Sequence, residues 1–224
     1  MKNSLIKVPF LSTLLPVSLV LFIFALWQNN HITVSSIDFS SKKLPADFDN
    51  FRILQISDLH NKEFGRNSHR LINKIKSLTP NIIVITGDLV DSRRTDINAS
   101  LVFIQEAVRI APVYYVPGNH ESRNYIYKEL FPLLKEAGVN LLLDSSLQLR
   151  EKHSSIELIG AVDPSFKYKK GLKNSDKTIM NHSLDMLVGK DRSVFTLLLS
   201  HRPELIELYA EHNIDLVFTG HAHG

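Results

Sequence analysis

Residues 51–60 read FRILQISDLH and residues 81–88 read NIIVITGD, so each apolar run is followed by an aspartate. Short, continuously apolar runs bounded by polar turn residues are typical of strands buried on both faces. A segment with apolar residues at helical spacing, Leu71, Ile72, Ile75 and Leu78, lies between the two runs. Strands that alternate with helices predict an α/β fold with a largely parallel central sheet.

The rest of the chain continues this alternation. We expect further strands at 113–116, 139–143, 147–150, 156–160, 194–199 and 214–218, and helices at 66–78, 97–110, 125–137 and 203–211. The polar, lysine-rich segment 164–191 predicts a loop with one short helix near 184–188. Residues 32–39 alternate between apolar and polar, which predicts a strand, and a polar linker leads from there to residue 50.

The composition excludes several kinds of site. The chain has 224 residues, ten histidines, no cysteine and a net charge of +3. Without cysteine there is no disulfide framework, thiolate zinc site, cysteine nucleophile or iron–sulfur cluster. The small net charge, without a basic stripe, indicates no platform for nucleic acid. A transition-metal site here would have to use His, Asp, Glu and Asn.

The N-terminal segment predicts a membrane anchor. Residues 8–27 carry no charge, and about 20 apolar residues are needed to cross the hydrocarbon core of a bilayer. Lys2 and Lys7 precede the run, which predicts a cytoplasmic N-terminus, a single-pass cell-membrane protein and an extracytoplasmic catalytic domain in contact with membrane lipid. A cleaved signal peptide and a buried core helix are the alternatives, although Pro9 and Pro16 disfavour a core helix.

Polar residues that can bind metals follow five of the predicted strands. They are Asp58 and His60, Asp88 and Asp91, Asn119 and His120, His201, and finally His221 and His223. Each one alone has an ordinary explanation as a turn, cap or surface residue. Because ligand sites collect at the carboxyl ends of parallel strands, all of them together indicate one site. Carboxylate, imidazole and amide groups suit Mn, Fe or Zn.

These motifs, in the order D-x-H, G-D-x-x-D, G-N-H-E, H and G-H-x-H, resemble the signature of the calcineurin-like metallophosphoesterases. The resemblance runs from Asp58 to His223, about three quarters of the chain. It implies a layered α/β sandwich of the metallophosphoesterase type. The apolar N-terminus followed by RILQISDLH is most similar to the bacterial membrane-associated phosphodiesterase branch, which includes relatives that hydrolyse UDP-2,3-diacylglucosamine.

The resemblance also implies a role for each motif residue. Two divalent metal ions (Mn, Fe or Zn) would activate a hydroxide, one ion being held by Asp58, His60 and His223 and the other by Asn119, His201 and His221. Asp88 would bridge the two ions. His120 would act as a catalytic group beside them, and Asp91 would orient it. No motif indicates which residues bind the rest of the substrate.

The predicted organisation is a cytoplasmic tip and transmembrane anchor at 1–30, a strand and linker at 31–50, and a metallophosphoesterase domain at 51–224. Family members continue beyond G-H-x-H, whereas this sequence ends at Gly224, so we expect C-terminal strands to be missing from a truncated sequence. The predicted activity is hydrolysis of a phosphodiester, phosphomonoester or pyrophosphate. The alternatives are a hydrolase of a UDP-2,3-diacylglucosamine-type lipid pyrophosphate and a non-catalytic metal-binding membrane protein.

Overall fold

The computed structural model describes residues 8–168, 175–189, 191 and 193–223, with side chains from residue 14 onward. The chain divides into two units, Met1–Phe39 and Ser40–Gly224. The first unit contains helix α1, Val8–Asn30. Residues 32–39 have no regular secondary structure, so the strand predicted there is wrong. Alternation forms a strand only where a neighbour accepts its backbone hydrogen bonds, and no described strand pairs with this segment.

In the part of the chain that the structure describes, no helix combines the length and the apolar character needed to cross a bilayer. The predictions of a transmembrane anchor and of a single-pass membrane protein with an extracytoplasmic domain are therefore wrong. Lys2 and Lys7 lie outside the described residues.

The first sheet of the second unit is entirely parallel. Its strands, in spatial order, are β1 (Ile53–Ile56), β2 (Ile82–Thr86), β3 (Val113–Val116) and β4 (Asn140–Leu141). The connections contain α2 (His69–Leu78), α3 (Ile97–Ala107), α4 (Asn119–Ser122) and α5 (Tyr127–Glu136). Side chains on one face of the sheet, including those of Ile83, Ile85 and Tyr115, pack against Phe103 and Leu130 of the helices in one buried cluster.

The second sheet is mixed. It contains β5 (Ser145–Glu151), β6 (Ser154–Gly160), β7 (Thr196–Leu199) and β8 (Leu216–Phe218) in that spatial order. Strands β5 and β6 form an antiparallel pair, whereas β6, β7 and β8 are parallel. Helices α6 (Asp176–Leu187) and α7 (Ile206–Glu211) cover its outer face, where Ile159 and Leu198 pack against Leu184 and Leu208.

The two sheets face each other across a second buried cluster. Val84 and Val116 of the first sheet meet Leu158, Leu197 and Leu199 of the second in this cluster. Helices lie on both outer faces, so the unit is an α/β sandwich of four layers. The strands predicted to form one central sheet therefore belong to two sheets. Strands of both sheets are buried on both faces, and their apolar patterns are for that reason alike.

The polar segment 164–191 contains more helix than expected. Helix α6 begins at Asp176, and the hydroxyl of Ser175 caps it by accepting a hydrogen bond from the Thr178 N–H. A 3₁₀ turn, Pro164–Lys167, precedes it. Lys169, Lys170 and Lys173 of the predicted basic loop lie outside the described residues, and so does Gly224.

Candidate metal centre

The loops that follow β1, β2, β3, β7 and β8 bring the motif residues together. The loops after β1 and β2 are joined by backbone hydrogen bonds, from the Asp58 N–H to the Gly87 carbonyl (3.1 Å) and from the His60 N–H to the Asp88 carbonyl (3.0 Å). Predicted ligands in the left-handed region, with φ between 47° and 68°, are Asp58, His60, Asp88, His221 and His223. Such conformations cost free energy and concentrate at functional sites, where the surrounding structure imposes them.

One cluster consists of Asp58, His60 and His223. The Nε2 atoms of His60 and His223 are 3.2 Å apart, and an Asp58 carboxylate oxygen lies 3.8 Å from His223 Nε2. Asp58 also accepts the backbone N–H of His221, at 2.9 and 3.1 Å from its two oxygens. This hydrogen bond ties the loop after β8 in the second sheet to the loop after β1 in the first.

A second cluster consists of Asp88, His201 and His221. The buried Oδ2 of Asp88 lies 3.3 Å from His201 Nε2 and 3.8 Å from His60 Nε2, and so it faces both clusters. Burial alone would raise the pKa of Asp88, but the close contact with His201 and the His201 charge hold it below its usual value. Burial likewise opposes the charge on His201, and Asp88 outweighs it, raising the pKa of His201 to about 9.

The residues present fit divalent metal ions. His201 Nδ1 donates to the Thr86 carbonyl at 2.7 Å, which leaves Nε2 as the ligand atom, and such second contacts are usual for metal-bound histidines. His201 Nε2 and Asn119 Oδ1 are buried without a hydrogen-bond partner among the described residues. Two ligand atoms about 2.1 Å from one tetrahedral ion lie about 3.4 Å apart, close to the separations within each cluster. Unsatisfied buried donors and acceptors are costly, and bound ions would satisfy these atoms.

His120 is held by Ser92. The backbone N–H of Ser92 donates to His120 Nδ1 at 3.1 Å, so the neutral ring carries its proton on Nε2. Burial is the main cause that lowers the pKa of His120, and it outweighs the attraction of Asp88. Asp91, which we expected to orient this ring, instead accepts the backbone N–H groups of residues 93 and 94. Its carboxylate lies within 4.8 Å of a ring nitrogen of His120 without bonding to it.

Glu121 joins two of the site loops. Its fully buried carboxylate accepts the backbone N–H groups of Asp88 (3.0 Å), Val90 (3.2 Å) and Gly118 (2.8 Å). Burial and the nearby charge of Asp88 raise the pKa of Glu121 to about 7. The residue after the G-N-H triplet is therefore a loop cap that fixes the backbone on either side of the site.

A cleft of about 420 Å³ opens beside the two clusters. Its lining consists of Asn119, Ser122, Arg123, Ser165, Tyr168, Arg202 and His221. Arg202 Nε binds the buried carboxylate of Asp163 at 2.5 Å, and its Nη1 lies 3.5 Å from His221 Nε2. Asp163 follows β6 and also accepts the Ser165 N–H at 2.8 Å, which caps the 3₁₀ turn beside the cleft. The cleft therefore begins at the predicted ligands Asn119 and His221.

The structure thus places all nine predicted site residues around one centre, with Asp91 as the one whose contacts differ from those expected. Sequence reasoning missed Ser92, Arg123 and Arg202. Arg202 directly follows His201 and Arg123 lies three residues after His120, so their positions next to the motifs are a usable signal. Ser92 acts through its backbone N–H, which leaves no trace in the sequence.

Comparison with known proteins agrees with this geometry. Residues 51–224 match the family model described as calcineurin-like phosphoesterase. The chain belongs to this family. The resemblance drawn from the five motifs is therefore confirmed. Among solved structures, the TT1561 protein of Thermus thermophilus has a TM-score of 0.57 and 13% identity, covering 75% of this chain and 81% of that one, so it has a similar fold.

Curated metallophosphoesterases from several organisms are similar in sequence. An uncharacterised metallophosphoesterase of Campylobacter jejuni is 28% identical over 85% of this chain and 48% of its own length. A transmembrane protein with a metallophosphoesterase domain from Bos taurus is 24% identical over 85% of this chain and 44% of its own length. The uncharacterised metallophosphoesterase YkoQ of Bacillus subtilis is 27% identical over 94% of this chain and 76% of its own length. The chain spans about half the length of the first two.

Proposed function

We propose that this metallophosphoesterase hydrolyses a phosphoester or pyrophosphate with the help of two divalent metal ions, Mn, Fe or Zn. The observation that carries the proposal is a pair of buried ligand atoms, His201 Nε2 and Asn119 Oδ1, that have no hydrogen-bond partner among the described residues. They lie beside the Asp88 carboxylate that faces both clusters. Asp58, His60 and His223 would hold one ion, Asn119, His201 and His221 would hold the other, and Asp88 would contact both. When bound, such ions lower the pKa of water and offset phosphoryl charge.

Backbone groups of this chain orient the histidine rings, and one of those rings supplies a proton. The Thr86 carbonyl fixes the ring of His201, and the Ser92 N–H fixes that of His120 with the proton on Nε2. A water oxygen forms the new bond to phosphorus while the bond from phosphorus to the leaving oxygen breaks. His120 Nε2 gives its proton to that leaving oxygen and regains one from the attacking water through solvent. Such acid–base help is typically worth about 10²–10⁴-fold in rate.

The test uses the full chain, stripped with a chelator and reloaded with Mn²⁺, Fe²⁺ or Zn²⁺. We expect two ions per chain and hydrolysis of at least one of three probes: bis(p-nitrophenyl) phosphate, p-nitrophenyl phosphate and the pyrophosphate diester ADP-ribose. Asp88→Asn should lower the bound metal and reduce kcat at least about 100-fold, because it removes the carboxylate shared by the clusters. The matched control is Asp49→Asn, in an exposed turn, where the side chain accepts a hydrogen bond from Asn50 at 3.0 Å.

Three results would contradict the proposal. These are a chain that binds no divalent metal, an Asp88→Asn variant as active as the wild type, and a loaded wild type that hydrolyses none of the probes. The last result, with two ions bound, would favour a non-catalytic metal-binding protein. Cleavage of ADP-ribose alone would narrow the activity to pyrophosphates, the class that includes nucleotide-linked lipids.

A further inference from the structure

Resting on the proposed function, we propose that Arg123 binds a second negative charge on the substrate at the mouth of the cleft. The preferred substrates would then be dianionic, either a phosphomonoester or a pyrophosphate diester. Arg123 opens the 3₁₀ turn Arg123–Tyr125 directly after α4, and its side chain is exposed. It lies 3.5 Å from His120 Nε2, and so it stands next to the atom that protonates the leaving group.

The two arginines of the cleft differ in their partners. Arg202 is paired with the buried Asp163 at 2.5 and 3.1 Å and has Glu204 and Asp176 at 3.4 and 3.6 Å. Three carboxylates therefore surround one guanidinium, and this group has no net positive charge left for a substrate. Burial disfavours the charge on Arg202, but Asp163 outweighs it and raises the pKa. Arg202 braces the loop after β7 against the end of β6.

Among the described residues, Arg123 has no such neutralising partner. Its contacts are the Ser92 hydroxyl and His120 Nε2, both at 3.5 Å, and no carboxylate lies within 4.0 Å of it among the described residues. Because His120 Nε2 carries a proton, it does not accept from Arg123, and the long hydrogen bond to Ser92 leaves most of the guanidinium donors available. Planar, charged donors of this kind match phosphate oxygens well.

Apart from the predicted metal ligands Asn119 and His221, the remaining polar groups that line the cleft are already hydrogen-bonded. Ser165 donates to the Ser122 hydroxyl at 2.9 Å, and Ser122 donates to the Asn119 carbonyl at 2.9 Å. The Tyr168 hydroxyl binds Asp176. Arg123 is therefore the lining group best able to bind an anion without first breaking a hydrogen bond.

Charge counting shows what Arg123 adds. Two divalent ions bring +4, Asp58 and Asp88 return −2, and a hydroxide nucleophile returns −1, which leaves about +1. That balance matches a phosphodiester with a single negative charge. A phosphomonoester or a pyrophosphate diester carries a second charge, on the same phosphorus or on the next one. Arg123 supplies the matching cation beside the leaving oxygen.

The test compares Arg123→Gln and Arg123→Lys with the wild type of the metal-loaded full chain. For Arg123→Gln we expect kcat/KM to fall about 10- to 100-fold on p-nitrophenyl phosphate or on ADP-ribose, the value of one charge-assisted contact. On bis(p-nitrophenyl) phosphate the change should stay below about 3-fold. Arg123→Lys should recover part of the loss. A loss confined to p-nitrophenyl phosphate places both charges on one phosphorus, and a loss confined to ADP-ribose places the second charge on the neighbouring phosphate.

Calorimetry gives a readout that does not depend on turnover. The Kd of inorganic phosphate, or that of methylene diphosphonate where the second charge lies on the neighbouring phosphorus, should rise about 10- to 100-fold at pH 8 in Arg123→Gln, while that of dimethyl phosphate, a monoanion, should stay the same. The matched control is Arg150→Gln, an exposed arginine at the opposite edge of the sheets, which should change neither value. Equal losses on mono- and dianions, or no loss on either, would overturn the assignment of Arg123. A wild type inactive on every probe would instead contradict the proposed function.

Discussion

Glu121 is the residue on which the geometry of the site depends most, although it is not one of the predicted ligands. Its carboxylate accepts three backbone N–H groups, and an amide in its place would turn a donor toward at least one of them. We expect Glu121→Gln to lower the free energy of unfolding of the metal-free chain by about 1–3 kcal/mol, the cost of an unsatisfied buried donor.

The measurement is urea unfolding of Glu121→Gln beside Glu129→Gln, an exposed change on α5. Metal titration should also show weaker binding in Glu121→Gln, because residues 88 and 118 lose their common anchor. Equal unfolding midpoints in the two variants would show that Glu121 does not brace these loops.

His120 allows a prediction that separates proton transfer from metal binding. His120→Gln removes the proton on Nε2 but none of the atoms in the two ligand clusters. We expect metal content to remain near that of the wild type while kcat falls about 10²–10⁴-fold on an alkyl phosphoester. The loss should be smaller with a p-nitrophenyl ester, because that leaving group departs without protonation. Equal losses on both esters would argue against His120 as the proton donor.

The loop between β8 and the last two histidines shows how an element, rather than a residue, sets the site. A Cβ added at the buried Gly220 would come within 2.0 Å of the Ser57 hydroxyl and 2.6 Å of the Thr86 carbonyl, so the loop would have to move. Gly138, after α5, has φ of +95° and no neighbouring atom within 4 Å of an added Cβ.

These two glycines make a matched pair of variants. We expect Gly220→Ala to weaken metal binding and activity at least about 10-fold, since a misplacement of about 1 Å can cost that much. Gly138→Ala should lower the free energy of unfolding by about 1 kcal/mol, through left-handed strain, and leave activity unchanged. Metal titration and urea unfolding of both proteins check this. A Gly220→Ala protein with wild-type metal affinity would contradict the tight contact.

Most helices and strands were predictable from the sequence, because buried strands and amphipathic helices have recognisable apolar patterns. The same dependence on local pattern explains why the strand expected at 32–39 is wrong. Buried strands such as β2 and β3 are short apolar runs, and their limits are set by Gly and Pro at the turns. The segment 32–39 has the other strand pattern, an alternation of apolar and polar residues, and yet forms no strand, because pairing depends on a neighbour that local sequence does not specify. Helix α1 forms where the uncharged run lies, but in the described part of the chain no helix could cross a bilayer.

At the scale of the molecule, the sequence predicted which residues lie together at the site, but not which sheet each one comes from or which backbone groups hold it. The strand-end positions of Asp58, Asp88, Asn119, His201 and His221 pointed to one site, because parallel strands end at a common edge. Their division between two facing sheets could not be predicted, since both sheets use strands buried on each face. The contacts of Ser92 and Glu121 with their partners run through backbone N–H groups, which every residue except proline carries.

An ion pair joins the segment before the first sheet to the second sheet. Lys43 Nζ lies 2.8 Å from Asp215, which precedes β8 and also accepts the Thr196 N–H at 2.9 Å. Burial would raise the pKa of Asp215, but Lys43 and Thr196 together lower it from 3.8. A lowered carboxylate pKa contributes stability that is fully present above 3.8 and is lost as the pH falls through the folded-state value.

We therefore expect Asp215→Asn to lower the free energy of unfolding of the full chain by about 0.5–1.5 kcal/mol at pH 7 and at pH 5, since the pair is partly exposed. At pH 3 the difference from the wild type should shrink, because the wild-type carboxylate is then protonated in more of the molecules. Urea unfolding midpoints at the three pH values measure this, with Asp49→Asn as the control. Lys43→Met should show the same loss at pH 7 and add little to Asp215→Asn, because the two changes break one interaction. A difference that stays constant down to pH 3, or fully additive losses, would mean that the charge of Asp215 does not hold these two parts of the fold together.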